Sequence, residues 1–346
     1  MKTFRLHLHT WGAKLRRREG MFEVTNVTAK GKVIQTRTFA AATVQSIQLN
    51  EGATLSADAV RLALEHDVDI IFQDRRGMPI GRIDSPLLGS TARVRRGQLR
   101  LADDVQGLVY CAEWLRAKIE AQRALLDGLA KKQRRSIGEA TLAKTDKQLR
   151  KQFQRLSVVD WERPMSELQP HLRGLEGTAA RAYFAVLGQA PPAAFRFMAR
   201  SRRPATDAFN AALNYGYGML YPYVERALLR AGLSPYIGFL HRDGYRFKAL
   251  VYDFIEPYRP LIDGTVLNQF LQRRLTRTDF TAVAGEGIRI GLDGRKQLAE
   301  AIDRQLCVRK RLYLGKKQTT ENQLQLEAYR LARRCAELVA NDADNI

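Results

Sequence analysis

The sequence is short of cysteine and of apolar runs. Only three cysteines, Cys111, Cys307 and Cys335, occur in 346 residues. They are odd in number and far apart, which indicates reduced thiols and excludes a disulfide framework or a cysteine-rich zinc site. No stretch approaches the ~20 apolar residues that a membrane span needs, and the N-terminal residues lack the apolar core of a signal peptide. We therefore expect a cytoplasmic protein that does not enter a membrane.

Acidic residues are also scarce. The chain has 36 Asp and Glu against 57 Lys and Arg, a formal net charge of +21. Such an excess indicates a polyanionic partner, with nucleic acid preferred over an anionic membrane surface. The remaining composition, 45% hydrophobic and 27% charged, is typical of a globular protein and excludes a disordered one.

The hydrophobic periodicity changes along the chain. Alternating residues predict strands over 21–27, 33–38, 44–49 and 68–72, with Ser56 as the N-cap of one helix among them. After about residue 104 the pattern is helical. The sequence therefore predicts an α+β protein with a β-rich N-terminal domain (1–90), a linker (91–104) and a larger all-helical domain (105–346).

Residues 231–260 carry the clearest chemical pattern. A Ser-Pro turn precedes His241, and an apolar run then contains Asp253 and Glu256. If residues 249–259 are helical, the two acids share a face. Two acids and a histidine suit a divalent ion that accepts mixed oxygen and nitrogen ligands, such as Mn²⁺ or Mg²⁺. The alternatives are a satisfied core histidine and acids that complement a helix dipole.

Glu176 lies in a second informative helix, predicted over 172–187. Leu172, Ala179 and Tyr183 share its helical face, so its carboxylate faces the apolar side. An unpaired buried carboxylate is costly, and an arginine, a proton or a metal must neutralise it. From the sequence alone, a salt bridge to a distant arginine and a metal site are equally good interpretations.

Basic residues are concentrated in two further segments. One is the predicted helix over 131–155, and the other follows a helix near the C-terminus. The second basic patch contains Arg309, Lys310, Arg311, Lys316 and Lys317. In so basic a chain, contact with backbone phosphates is as good an interpretation of the run over 131–155 as a solvated face.

Four blocks together resemble a known family. They are Gly-Leu-Glu-Gly-Thr-Ala-Ala-Arg-Ala-Tyr-Phe (174–184), the central segment 202–217, Pro-Tyr-Ile-Gly-Phe-Leu-His (235–241) and Leu-Val-Tyr-Asp-Phe-Ile-Glu-Pro-Tyr-Arg-Pro (250–260). In this order they resemble the CRISPR-associated endonuclease that integrates spacers, the metal-dependent integrase of the adaptation complex. The blocks span most of the chain, and their combination is more specific than any one of them.

The resemblance implies a function and a site. Glu176, His241 and Glu256 would bind the metal, Mn²⁺ or Mg²⁺, and Asp253 would be an additional catalytic acid that supports the site. The enzyme would insert spacer DNA into a CRISPR array by attack of a 3′-hydroxyl on a phosphodiester. Two alternatives are a non-enzymatic basic nucleic-acid-binding protein and a metal-dependent nuclease that acts on RNA.

The resemblance also implies partners. The DNA partners would be the protospacer and the CRISPR repeat. The protein partners would be a second copy of the chain, joined through the N-terminal domains, and a small ferredoxin-like companion of the adaptation complex. The helical domain would then be the catalytic one.

Overall fold

A computed structural model describes residues 4–8, 10–28, 32–66, 68–74, 79–83, 91–132, 137–241, 244–245 and 247–343. The chain divides into two compact units, Met1–Leu88 and Gly89–Ile346. The predicted α+β class, β-rich first and mostly helical afterwards, is confirmed. Within the described residues, no helix is both long enough and apolar enough to span a membrane.

Unit 1 contains two four-stranded sheets. The first has the order β1 (Phe4–Leu8), β5 (Val44–Leu49), β7 (Asp69–Gln73) and β8 (Pro79–Ile83); only β8 runs antiparallel to its neighbour. The second has the order β4 (Val33–Ala40), β3 (Met21–Val27), β2 (Lys14–Arg18) and β6 (Thr54–Leu55). Apolar residues of both sheets, with those of helix α1 (Ala57–Glu65), form one core.

Two features of unit 1 follow directly from its sequence. Ser56 caps α1, because its hydroxyl oxygen accepts a hydrogen bond from the Ala59 amide at 3.2 Å, as predicted. Strand β4 lies at the edge of its sheet and is exposed along most of its length, with Val33 and Ile34 58% and 63% exposed. A long, exposed, partly apolar edge is a surface on which another strand can pair.

Unit 2 is built mainly from helices. They are α2 (Thr91–Ala102), α3 (Val105–Lys132), α4 (Glu139–Ser157), α5 (Met165–Leu187), α6 (Ala208–Arg230), α7 (Ala249–Phe254), α8 (Arg259–Leu271), α9 (Leu292–Asp303) and α10 (Thr320–Ala343). The expectation of an all-helical domain is wrong in one respect. Two antiparallel hairpins are present, β9 (Phe280–Val283) with β10 (Gly287–Ile290) and β11 (Lys310–Tyr313) with β12 (Lys316–Thr319).

Helix α6 is the central helix of unit 2. It is buried on nearly all sides, in agreement with its mostly apolar sequence. Asp207 caps it by accepting a hydrogen bond from the Asn210 amide at 2.7 Å. Helix α6 runs through Pro222 as one element. Helix α8 packs against α6, and α3 packs against both α5 and α8. Residues of α3, of α5 and of the turn before α8 form the candidate site.

Residues 249–259 do not form one continuous α-helix. Helix α7 ends at Phe254, a 3₁₀ turn spans Glu256–Tyr258, and α8 begins at Arg259. Pro257 has no amide hydrogen to donate, so it fits the short turn better than a helix interior. Asp253 and Glu256 therefore belong to different elements, so the condition for a shared helical face, one α-helix over 249–259, is not met.

The segment predicted as a linker contains a packed helix. In α2, Val94, Gly97 and Leu101 form a buried stripe against α10. Gly97 is needed there, because an added Cβ would lie 1.7 Å from the carbonyl oxygen of Cys335. Arg93 donates a hydrogen bond to the Ala336 carbonyl at 3.2 Å, so both apolar packing and polar contacts hold α2 to the end of the chain.

Candidate functional site

A buried lysine joins two of the predicted site residues. The ammonium of Lys118, on α3, lies 2.6 Å from Glu176 Oε1 on α5 and 2.6 Å from Glu256 Oε2 in the turn before α8. The Lys118 side chain is 7% exposed, whereas that of Glu176 is 31% exposed. One positive charge is therefore shared by two carboxylates, and the Glu176 side of this centre opens to solvent.

Glu256 is the more deeply buried acid. Its second oxygen, Oε1, lies 3.1 Å from Arg259 Nε. Burial opposes ionisation of the Glu256 carboxyl, but Arg259 and Lys118 outweigh it and lower its pKa to about 2. Lys118 Nζ lies 2.6 Å from the other oxygen, Oε2, so a positive group faces each oxygen of the buried carboxylate.

Asp253 holds His241. The carboxylate is buried, and it accepts hydrogen bonds from the backbone amides of Phe239, Leu240 and His241 at 2.7, 3.0 and 3.1 Å. The His241 ring contributes a further bond, from Nδ1 to Asp253 Oδ1, at 2.5 Å. Because both Asp253 oxygens are engaged, this residue fixes the chain and ring of His241. The other ring nitrogen, Nε2, is left for another partner.

The predicted ligands meet only in part. Glu176 and Glu256 converge on Lys118, whereas His241 stays with Asp253. In the part of the chain that the structure describes, no three His, Cys, Asp or Glu side chains lie close enough to share a metal ion. His241 is nevertheless near enough to help lower the pKa of Glu256, after the larger effects named above.

Lys118 is the site residue that sequence reasoning missed. The sequence predicts helix in this region, but the lysine within it was not singled out. Leu115 and Gln122 lie on the same helical face as Lys118, and both are buried. A lysine on the apolar face of a helix needs an anionic partner, and a glutamate on such a face, like Glu176, needs a cationic one. Matching these two requirements would have identified the Lys118–Glu176 contact from the sequence.

Asp263 is a further buried carboxylate in unit 2. Asp263, on α8, accepts hydrogen bonds from the hydroxyls of Tyr183, at 2.9 Å, and Tyr217. Burial raises the pKa of Asp263 to about 6, although both hydroxyls act in the opposite direction. Arg200 and Arg259 lie over the Tyr217 ring, with their guanidinium carbons 5.3 and 5.2 Å from its centroid.

The basic run over 131–155 is described only in part. Residues 133–136, which include Arg134 and Arg135, lie outside the described residues. On α4, the side chains of Lys144, Lys147 and Lys151 are exposed. The interpretation of this run as a phosphate-binding face stays a prediction.

Comparison with known proteins gives a consistent result. The sequence model of the family described as CRISPR associated protein Cas1 matches residues 6–304. A CRISPR-associated endonuclease Cas1 of Archaeoglobus fulgidus is 35% identical over 236 residues, 66% of this chain and 68% of the relative. The corresponding protein of Thermus thermophilus is 30% identical over 327 residues, which is 94% of each chain.

Solved structures share the fold. A casposase bound to its integration product has a TM-score of 0.82 at 21% identity, covering 97% of this chain and 91% of the casposase. A chain of a Cas6-RT-Cas1–Cas2 complex has a TM-score of 0.74 at 21% identity, covering 98% of this chain and 35% of the other. At such identities the likeness concerns the fold alone.

Proposed function

Because this chain belongs to the Cas1 family of CRISPR-associated endonucleases, we propose that Glu176, Glu256 and His241 form the metal centre of a DNA integrase. Endonuclease and integrase activity on DNA in CRISPR adaptation follows from membership of the family, and the family is in general metal-dependent. The assignment of residues is our proposal. The observation that carries it is the single cation shared by Glu176 and Glu256.

The residues fit a divalent ion. Two carboxylate oxygens, Glu176 Oε1 and Glu256 Oε2, already contact one positive charge. The Lys118 ammonium thus occupies the place between the two acids that a metal ion would take. His241 adds a nitrogen donor, and oxygen ligands with one imidazole suit Mn²⁺ or Mg²⁺. When bound, such an ion would stabilise negative charge that develops on a phosphate.

The chain's own residues have distinct roles in this proposal. Glu256 is an ionised ligand, since its pKa lies far below neutrality, and Glu176 supplies the second carboxylate. Asp253 is a positioning residue, because it holds the His241 backbone and ring in place. Arg259 keeps one oxygen of Glu256 occupied, which leaves the other for the cation. The surplus of Lys and Arg binds the DNA backbone without regard to sequence.

The reaction is attack of a spacer 3′-hydroxyl on a phosphodiester of the CRISPR repeat. The decisive experiment is a half-site integration assay with labelled protospacer DNA, with and without EDTA. Glu176→Ala should lower the rate by about 10²–10³, equivalent to about 3–4 kcal/mol, and leave DNA affinity nearly unchanged. The control is Glu167→Ala, which removes an exposed acid from the same helix α5.

Three outcomes would contradict this proposal. If Glu176→Ala keeps near-normal integration, or unfolds while Glu167→Ala does not, Glu176 is a structural ion-pair residue. If matched RNA is cleaved and DNA is not, the enzyme is a metal-dependent ribonuclease. Binding of DNA with no metal-dependent strand transfer would indicate a non-enzymatic nucleic-acid-binding protein.

Assembly with a second copy and with a small ferredoxin-like companion is also part of the proposal. The exposed edge of β4 supports a dimer through unit 1. The fold shared with a chain of a Cas1–Cas2 complex supports a protein companion. In sedimentation of the full chain, Ile34→Lys should shift the protein from dimer to monomer, whereas Arg61→Glu on α1 should not. A dimer that survives Ile34→Lys would exclude the β4 edge.

A further inference from the structure

The hairpin β11–β12 is not used by the proposed catalytic centre. Its strands pair Lys310 with Thr319 and Leu312 with Lys317, and a two-residue turn of Leu314 and Gly315 joins them. Both turn residues are left-handed, with φ of 47° and 75°. The hairpin lies beyond residues 6–304, which the family model matches.

Positive charge is concentrated on the hairpin. It contains Lys310, Arg311, Lys316 and Lys317, Arg309 immediately precedes it, and the sequence has no acid between Asp303 and Glu321. All five cations are exposed, and none of them forms an ion pair with a described residue. Like charges as close in the chain as Arg309, Lys310 and Arg311 repel one another, and an anionic partner would relieve this repulsion.

The hairpin also exposes apolar side chains. Leu312 is 77% exposed and Leu314 is 65% exposed, and Leu312 lies directly across the strands from Lys317. The hydroxyl of Tyr313 is buried instead, so the hairpin has an attached side and a free side. On the free side, apolar groups are flanked by cations, as required for a surface that touches both bases and phosphates.

We propose that the β11–β12 hairpin binds duplex DNA as a two-stranded ribbon in the major groove. A two-stranded ribbon fits this groove, which is about 12 Å wide. Four-residue strands extend about 14 Å, enough to cross it. The cations would contact the phosphates on both sides, and Leu312 would contact base edges. This inference depends on the proposed function only in taking DNA as the ligand.

The test is equilibrium binding to a 30-base-pair duplex in EDTA. Binding is measured by fluorescence anisotropy at a series of salt concentrations. Lys310→Gln with Lys317→Gln should weaken binding by at least about tenfold near 0.1 M salt. The slope of log affinity against log salt should fall by about 2. The matched control, Arg16→Gln with Arg61→Gln, removes the same charge from exposed positions of unit 1 and should leave the slope unchanged.

A second measurement covers the possibility that substitution perturbs the hairpin. A photo-crosslinking amino acid at Leu312 of the otherwise unaltered full chain should label the duplex, and the same group at exposed Tyr329 of α10 should not. Equal slopes for wild type and the lysine variant, with no crosslink, would overturn the proposal. So would loss of binding to phosphatidylserine vesicles while binding to DNA is kept.

The two proposals fail in different ways. If wild type binds and integrates DNA but the hairpin variant binds equally well, only the hairpin assignment is wrong. If wild type binds no DNA in EDTA, the function proposed for the whole chain fails together with it.

Discussion

Glu256 and Asp263 are buried carboxylates of the same chain segment, yet their pKa values are shifted in opposite directions from the ordinary values. Lys118 and Arg259 overcome the burial of Glu256 and lower its pKa to about 2. Asp263 has only the neutral hydroxyls of Tyr183 and Tyr217 as direct partners, and burial raises its pKa to about 6. Neighbouring charge, rather than depth, decides which buried acid remains an anion.

The comparison separates a site that can exchange its partner from one that cannot. The place of an ammonium between two carboxylates can be taken by another cation, because both acids are already arranged around one positive charge. The hydroxyls at Asp263 are fixed parts of packed aromatic side chains. The Glu176–Lys118–Glu256 cluster therefore suits ligand binding, and the Tyr183–Asp263–Tyr217 cluster suits stability.

The largest expected effect separates the two acids in catalysis. Glu256→Gln removes a proposed anionic ligand and should lower the integration rate by about 10²–10³. Asp263→Asn should keep the rate within a few-fold, because Asp263 touches neither Glu176 nor Glu256. Both rates are measured at pH 7 with saturating metal and DNA. Equal losses of rate in the two variants would show that Glu256 and Asp263 do not differ in their contribution to catalysis.

Replacing Lys118 tests whether its ammonium occupies the place of a metal. Lys118→Met leaves two facing carboxylates without a cation, and should lower the free energy of unfolding by about 3 kcal/mol in EDTA. Mn²⁺ should restore more stability to this variant than to wild type, and bind it at least about tenfold more tightly by titration calorimetry. Lys144→Met, on the exposed side of α4, is the control. Unchanged metal affinity in Lys118→Met would mean that the ion binds elsewhere.

The smallest effect concerns pH. The pKa of Asp263 is raised from 3.8 to about 6 in the folded protein. Its stabilising contribution is therefore complete below about pH 4 and is lost as the pH rises through 6. A shift of about two units corresponds to roughly 2–3 kcal/mol. Asp263→Asn should flatten this part of the stability curve in urea unfolding between pH 4 and 7.

Tyr183→Phe tests whether the tyrosine hydroxyl sets the pH at which this stability is lost. It removes one hydroxyl that lowers the pKa of Asp263, so the midpoint of the pH dependence should move upward. Tyr329→Phe, at a half-exposed position of α10, should leave the midpoint where it is. A midpoint that stays fixed in Tyr183→Phe would show that the hydroxyl does not set the proton affinity of Asp263.

Much of the fold could be predicted from local pattern. Strand β5 and the cap at Ser56 agree with their predicted residues, because alternation and capping are local properties. Strand β2 was missed, since Lys-Leu-Arg-Arg-Arg has only one apolar residue and is held by pairing on both sides. Helix α2 was missed because its partner, α10, is distant in the sequence.

The site could be predicted only as a set of residues. Glu176 was recognised as an acid that needs a partner, and it has one in Lys118. Which cation it would be depends on how α3 packs against α5, and no local spacing contains that information. The role of Asp253 likewise depends on the backbone turn at 239–241, which brings three amides to one carboxylate.

The packing of α2 on α10 has a consequence for synthesis of the chain. The hydrogen bond from Arg93 to Ala336 joins residues that are 243 positions apart. At 5–20 residues per second, a ribosome needs about 12–50 s between them. For that time the apolar stripe of Val94 and Leu101 emerges without its partner helix and is available to chaperones. Unit 2 can complete its core only when translation has nearly reached the end of α10.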